Sequence, residues 1–85
     1  MAEQLVGHVT HWFGHVNVAG IQIEQGELHT GDKIHIVGHT TDLEQAVGSM
    51  EIEHRRIEEA HAGEDIGVRV ADPVREHDSV YKVLN

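Results

Sequence analysis

Eighty-five residues carry 15 Asp and Glu against 6 Lys and Arg, a formal charge of −9 with nine histidines counted neutral, and there is no cysteine. A chain of this length buries only roughly 60–65% of its unfolded surface, so it has room for one small core and none for a nucleotide-binding domain beside it. Disulfides and thiolate metal sites are excluded, and so acidic a field opposes the phosphate neutralisation on which nonspecific nucleic-acid binding rests.

Strand alternation is good and helical periodicity poor from end to end. Leu5 to Trp12 reads as a first strand, ended at Gly14. Val16, Val18, Ile21 and Ile23 give a second, and the slip in their alternation places a bulge at Ala19-Gly20, a common way to bend a strand round a barrel. Gly26 to Asp32 turns the chain. Ile34 and Ile36 then alternate with His35 on a third strand, closed by Gly38. After the polar link Thr40-Thr41-Asp42, Leu43 to Arg56 reads as one long strand bent at Gly48, with Leu43 and Val47 in one phase and Met50 and Ile52 in the other. A helix over Asp42 to Ala46 is the alternative for its first half. Glu58 to Asp65 is a charged loop. Ile66, Val68 and Val70 form a fifth strand, Asp72-Pro73 breaks it, and Val80, Tyr81 and Val83 supply the last. Six short strands in a single domain over residues 1–85 predict an all-β fold, a small closed six-stranded antiparallel β-barrel, because closure removes exposed edges. No apolar run approaches the ~20 residues of a membrane span and no charged-then-apolar leader opens the sequence, so the expected location is cytoplasmic.

Gly26-Glu27-Leu28-His29-Thr30-Gly31-Asp32-Lys33-Ile34 sets two turn glycines around one apolar residue before a strand begins. Together with Val6-Gly7-x-Val9, Val47-Gly48-Ser49-Met50-Glu51 and Ala62-Gly63-Glu64-Asp65-Ile66-Gly67, it resembles the second, β-barrel domain of translational GTPases such as elongation factor Tu. The resemblance runs from about Leu5 to Val83 and is nearest to short, free-standing translation elongation factor-like proteins. The chain has no Gly-x-x-x-x-Gly-Lys-Ser/Thr loop, so GTP hydrolysis is not open to it. His77 stands where relatives tend to carry glycine, in the turn before the final strand. In elongation factor Tu this domain holds the 3′ end of aminoacyl-tRNA. By the resemblance, Glu51 falls at a glutamate directed to the terminal ribose, and Trp12 and Phe13 on the loop where the terminal adenine packs. His54 replaces an arginine and Asp65 an asparagine, and both changes lower the positive character of the site.

Blander readings stand beside these. Trp12 can cap one end of the barrel, Glu51 can be a solvated carboxylate between inward Met50 and Ile52, and Arg55 and Arg56 can pair with Glu58 and Glu59. His8, His11 and His15 do not make a metal site: the i,i+4 spacing of His11 and His15 suits a helix, and His8 and His11 fall on opposite faces of a strand. Neither Ser49 nor Ser79 sits in a recognisable arrangement of nucleophile and base, so no enzyme and no cofactor is expected. Two functions stay open. One is a module of translation or RNA handling that recognises an RNA or tRNA end, or a ribosomal component, through Trp12, Phe13, Glu51, His54, Arg55 and Asp65. The other is a protein-interaction module docking an enzyme or subunit without RNA contact, which the charge of −9 fits better. No membrane partner is expected, and nothing in the residues fixes an oligomeric state.

Overall fold

Alternating apolar residues extend the chain almost throughout, as the computed structural model, described for residues 2–84, makes plain. Ten strands follow among the described residues: β1 (Ala2–Phe13), β2 (Val18–Ile23), β3 (Glu27–His29), β4 (Lys33–Val37), β5 (Asp42–Ala46), β6 (Met50–Ile52), β7 (Arg55–Ile57), β8 (Glu59–His61), β9 (Asp65–Arg69) and β10 (Ser79–Leu84). Eight of them pair antiparallel in the order β5-β4-β10-β1-β2-β9-β6-β7, and β3 pairs with β8 in a second sheet. The all-β antiparallel expectation holds, but six strands and a closed barrel do not: the ladder starts at β5 and ends at β7 without joining them.

Two interruptions explain the difference. The stretch read as one bent strand, Leu43 to Arg56, leaves the ladder after Ala46 because the backbone of Val47 is used elsewhere. Its N–H donates to Asp32 O and its carbonyl accepts from Gly31 N, both at 2.8 Å. Met50 then restarts a strand in the new phase, and Gly48 lies in the break. That strand turns back at Glu53-His54, a two-residue loop with φ of 48° and 67°, the positive-φ pair of a type I′ hairpin. The supposed charged loop Glu58–Asp65 contains β8, whose sole inward residue, Ala60, is fully buried beside Leu28 of β3. This small sheet is stitched to β2 by Gly63 N, just beyond β8, donating to Ile23 O at 2.7 Å. On the other flank the Gln45 side chain of β5 donates to Arg69 O at 3.0 Å and accepts from Ala71 N at 2.8 Å. Short backbone and side-chain bridges thus join what the ladder leaves open, around one core rich in Val and Ile.

The bulge also lies elsewhere than expected. Val9 pairs with Ile21 and His11 with Gly20, so the extra residue is Thr10 of β1, whereas β2 runs regularly against β9. The slip in β2 arises only if Val18 is counted as core: Ala19, Ile21 and Ile23 point inward and Val18 faces out. That outward valine helps to build the site described below.

His77 keeps a φ of 77°, the left-handed conformation that glycine adopts freely, and its N–H donates to Val9 O at 2.8 Å. A non-glycine residue there costs roughly 1–2 kcal/mol of backbone strain, part of which glycine returns through its extra freedom in the unfolded chain. His77→Gly is therefore expected to raise stability by roughly 0.5–1 kcal/mol in urea denaturation.

His35 of β4 spans three strands. Its Nε2 meets Asp42 Oδ1 at 2.6 Å and its Nδ1 meets Glu3 Oε2 at 2.8 Å. The hydrogen bond to Asp42 foremost, with Glu3 adding to it against a partial loss from burial, raises the imidazole above its ordinary value. A raised folded value means the contribution is whole below the unfolded value of about 6.5 and fades as pH climbs through the folded one. The Asp42 side chain is 82% exposed, so the gain is at most about 1 kcal/mol. Melting curves taken from pH 6 to pH 8 should show the native chain losing more stability than His35→Gln over that interval.

Candidate functional site

The sheet order sets β1, β2, β9 and β6 side by side, so their outward residues share one surface. At its centre Gly20 of β2 lies directly opposite Gly67 of β9, where Gly20 is buried beneath its neighbours and the missing side chain of Gly67 leaves half-buried backbone as a floor. Phe13, at the end of β1, lies over Gly20: its Cε2 is 3.5 Å from where a Cβ would stand. The His11 ring leans on Phe13 with centroids 4.4 Å apart and planes at 58°. Val18 borders the floor at Gly67, and Val16 extends the wall along the turn. Phe13 and Val16 remain 42% and 43% exposed. The result is an open groove of about 630 Å³ with an apolar trough and a rim of Glu51, Glu53, His54, Asp65 and Arg69.

The rim carboxylates differ from most others on the chain. Glu24 meets His8 at 2.9 Å, Glu76 meets His11 at 3.4 Å, Asp32 meets Lys82 at 3.3 Å and Glu44 meets Lys33 at 3.5 Å. At the groove, Glu51 has only His54, at 3.9 Å, and neither Glu53 nor Asp65 has a basic side chain within 4.0 Å among the described residues. The hairpin that carries Glu53 and His54 holds both in left-handed backbone, a strain that persists where the surroundings fix it.

Phe13, Glu51, His54 and Asp65 therefore line one groove, but Trp12 and Arg55 do not join them. Successive strand residues face opposite ways, so Trp12 turns to another cleft, with Leu43, Pro73 and Val74, and packs partly against the core. Arg55 opens the return strand of the hairpin and lies with Ile52 and Ile57 outside the groove. Nor do Arg55 and Arg56 pair with Glu58 and Glu59: Glu59 is taken by His29 at 3.4 Å and His61 at 3.2 Å. His8 and His11 serve separate glutamates, and among the described residues no three His, Cys, Asp or Glu are placed to hold a metal. Val16, Val18, Glu53 and Arg69 belong to the groove without having been singled out by the sequence. The available signal is Val18 itself, out of phase with its inward neighbours.

Comparison with known proteins gives the chain relatives in sequence and in fold. The family model of elongation factor Tu domain 2 matches residues 17–77. An uncharacterized protease of Methanocaldococcus jannaschii is 42% identical over 77 residues, covering 89% of this chain and 19% of its own length. A collagenase of Porphyromonas gingivalis is 38% identical over 78 residues, covering 91% of this chain and 22% of its own. The chain thus spans about a fifth of the length of these curated relatives. The C-terminal domain of a putative U32 peptidase from Geobacillus thermoleovorans has the same fold, with a TM-score of 0.87 at 17% identity, over 95% of this chain and 93% of that one. The expected kinship with free-standing translation factors is corrected accordingly: these relatives are named for proteolysis, on a domain 2 fold. Among the described residues no helix is long and apolar enough to cross a membrane.

Proposed function

We propose a binding role for this chain, which belongs to the elongation factor Tu domain 2 family: a non-catalytic module that engages polypeptide through the groove between Phe13 and Glu51. It would serve proteolysis of the kind its relatives are named for, presenting or docking a polypeptide beside a separate catalytic body. The observation that carries this reading is an apolar trough with an acidic rim on a chain of charge −9. A protein partner gains from covering Phe13, Val16 and Val18, since exposed apolar patches bordered by polar groups favour protein association. A nucleic-acid end meets Glu51, Glu53 and Asp65 first. It also loses one of the two stacking faces expected for it, because Trp12 points elsewhere.

Titration of the isotope-labelled chain, followed by two-dimensional NMR, tests the role. Gelatin fragments should shift the amides of Phe13, Val18, Gly20 and Gly67, and a single-stranded RNA ending in CCA should not. Phe13→Ala combined with Glu51→Gln should weaken gelatin binding at least tenfold, while Trp12→Ala should leave it within twofold. Shifts of the same amides produced by the RNA alone, and abolished by salt, would reverse the assignment.

A further inference from the structure

We infer that the groove seats a lysine or arginine side chain of an extended polypeptide, its aliphatic stem over the Gly67 floor beside Phe13 and its charged head between Glu51 and Asp65. The inference rests on the polypeptide-binding role above and adds the kind of residue that the groove takes.

Shape comes first. A Cβ built at Gly67 would lie 3.3 Å from Val18 Cγ1 and 3.7 Å from Glu51 Cγ, so the floor is flanked by a methyl group and the methylenes of the glutamate itself. Phe13 closes the far side over Gly20. Such a slot takes a single unbranched chain lying flat, its methylenes against Val18 and Phe13.

Charge then selects the end of that chain. Glu51 lies cross-strand from Gly67, and Asp65 lies two residues along β9 on the same face. Both flank the slot, and neither has a close Lys or Arg partner among the described residues. Covering them with a neutral or anionic side chain would remove water and return nothing, whereas a cationic head restores a charge-assisted hydrogen bond. Three basic side chains of the chain itself lie in or beside the groove. Arg69 sits at the other end of the groove, opposite Val18. Arg56 is cross-strand from Glu51 yet not within 4.0 Å of it, and the His54 side chain, at 3.9 Å, is 98% exposed and free to swing away.

The test uses four blocked pentapeptides, Ac-Ala-Ala-X-Ala-Ala-NH2, with lysine, arginine, norleucine or glutamate at X, titrated by the same amide shifts. The lysine and arginine peptides are expected to bind at least tenfold tighter than norleucine, with glutamate weaker still. Glu51→Gln with Asp65→Asn should bring lysine to within twofold of norleucine and leave norleucine unchanged. Gly67→Ala, which puts a methyl on the floor, should weaken both. Four peptides shifting the groove equally, or a lysine preference that survives loss of the two carboxylates, would overturn the cation seat while leaving the polypeptide role standing. Gelatin binding without any pentapeptide binding would likewise overturn the seat alone. Silence of the groove towards all four peptides and towards gelatin would overturn both.

Discussion

Gly7→Ala is expected to lower the urea midpoint of this chain by about 3 M, or to leave it unfolded in buffer. Gly7 lies on β1 cross-strand from Ile23, and a Cβ there would run into the carbonyl oxygen of Gln22 and come within 3.2 Å of Ile23 Cα. Both obstacles are backbone, so no rotamer change relieves them. The strand would have to draw away from β2 where Val6 O accepts from Glu24 N at 2.7 Å and from Gln25 N at 3.3 Å. Overpacking a core costs roughly 1–3 kcal/mol, and each ladder bond lost adds about 1 kcal/mol. A total near 4 kcal/mol meets a stability of only roughly 4–13 kcal/mol for a domain this size. Gly48→Ala is the control: nothing lies within 4 Å of its added methyl and its φ is not positive, so its midpoint should stay within about 0.5 M of the native one. Equal losses in the two variants would mean that glycine matters here for something other than close approach.

Sequence alternation makes the strands legible wherever a large residue marks the inward face, as Ile34 and Ile36 or Ile66 and Val68 do. It fails where the inward residue is small. Ala19 and Ala60 are both fully buried, yet Ala19 is outweighed by the larger, outward Val18 and Ala60 is lost between Glu59 and His61, so alternation puts a bulge in β2 and a loop in place of β8. The hairpin at Glu53-His54 is hidden for another reason: its positive φ values fall on residues that carry no turn signal, in place of the usual Asn-Gly. Whether the ladder closes is beyond reading altogether, since that depends on bonds between distant segments, such as Gln45 to Arg69. The site follows the same logic. Phe13, Glu51, His54 and Asp65 emerge only through the resemblance to elongation factor domains, and all four line the groove. Trp12 and Arg55 come along as sequence neighbours, and one step along a strand or round a hairpin is enough to send them to other surfaces.

Gly38→Ala and Asp78→Ala are each expected to cost about 2–3 kcal/mol, and the double variant about the same rather than their sum. Asp78 is 5% exposed and accepts a hydrogen bond from Arg75 N on Oδ2 at 2.8 Å, while its own carbonyl accepts from Val9 N at 2.8 Å. The place where Gly38 would carry a Cβ is already filled by the Asp78 carboxylate. Adding the methyl alone drives that carboxylate off the Arg75 amide, and removing the carboxylate alone leaves the amide unpartnered, at roughly 1–3 kcal/mol. With the carboxylate gone, the methyl introduced by Gly38→Ala occupies its space and adds little further cost. Urea curves for the four chains therefore measure a coupling of about 2 kcal/mol, and strict additivity would rule out the shared contact. The joint also reaches the groove. Val9, held by Asp78, comes one residue before the bulge at Thr10 that sets the direction of His11 and Phe13. A folded Asp78→Ala chain should accordingly show altered amide shifts at Phe13 and Gly20, and weaker gelatin binding, although Asp78 itself lies outside the groove.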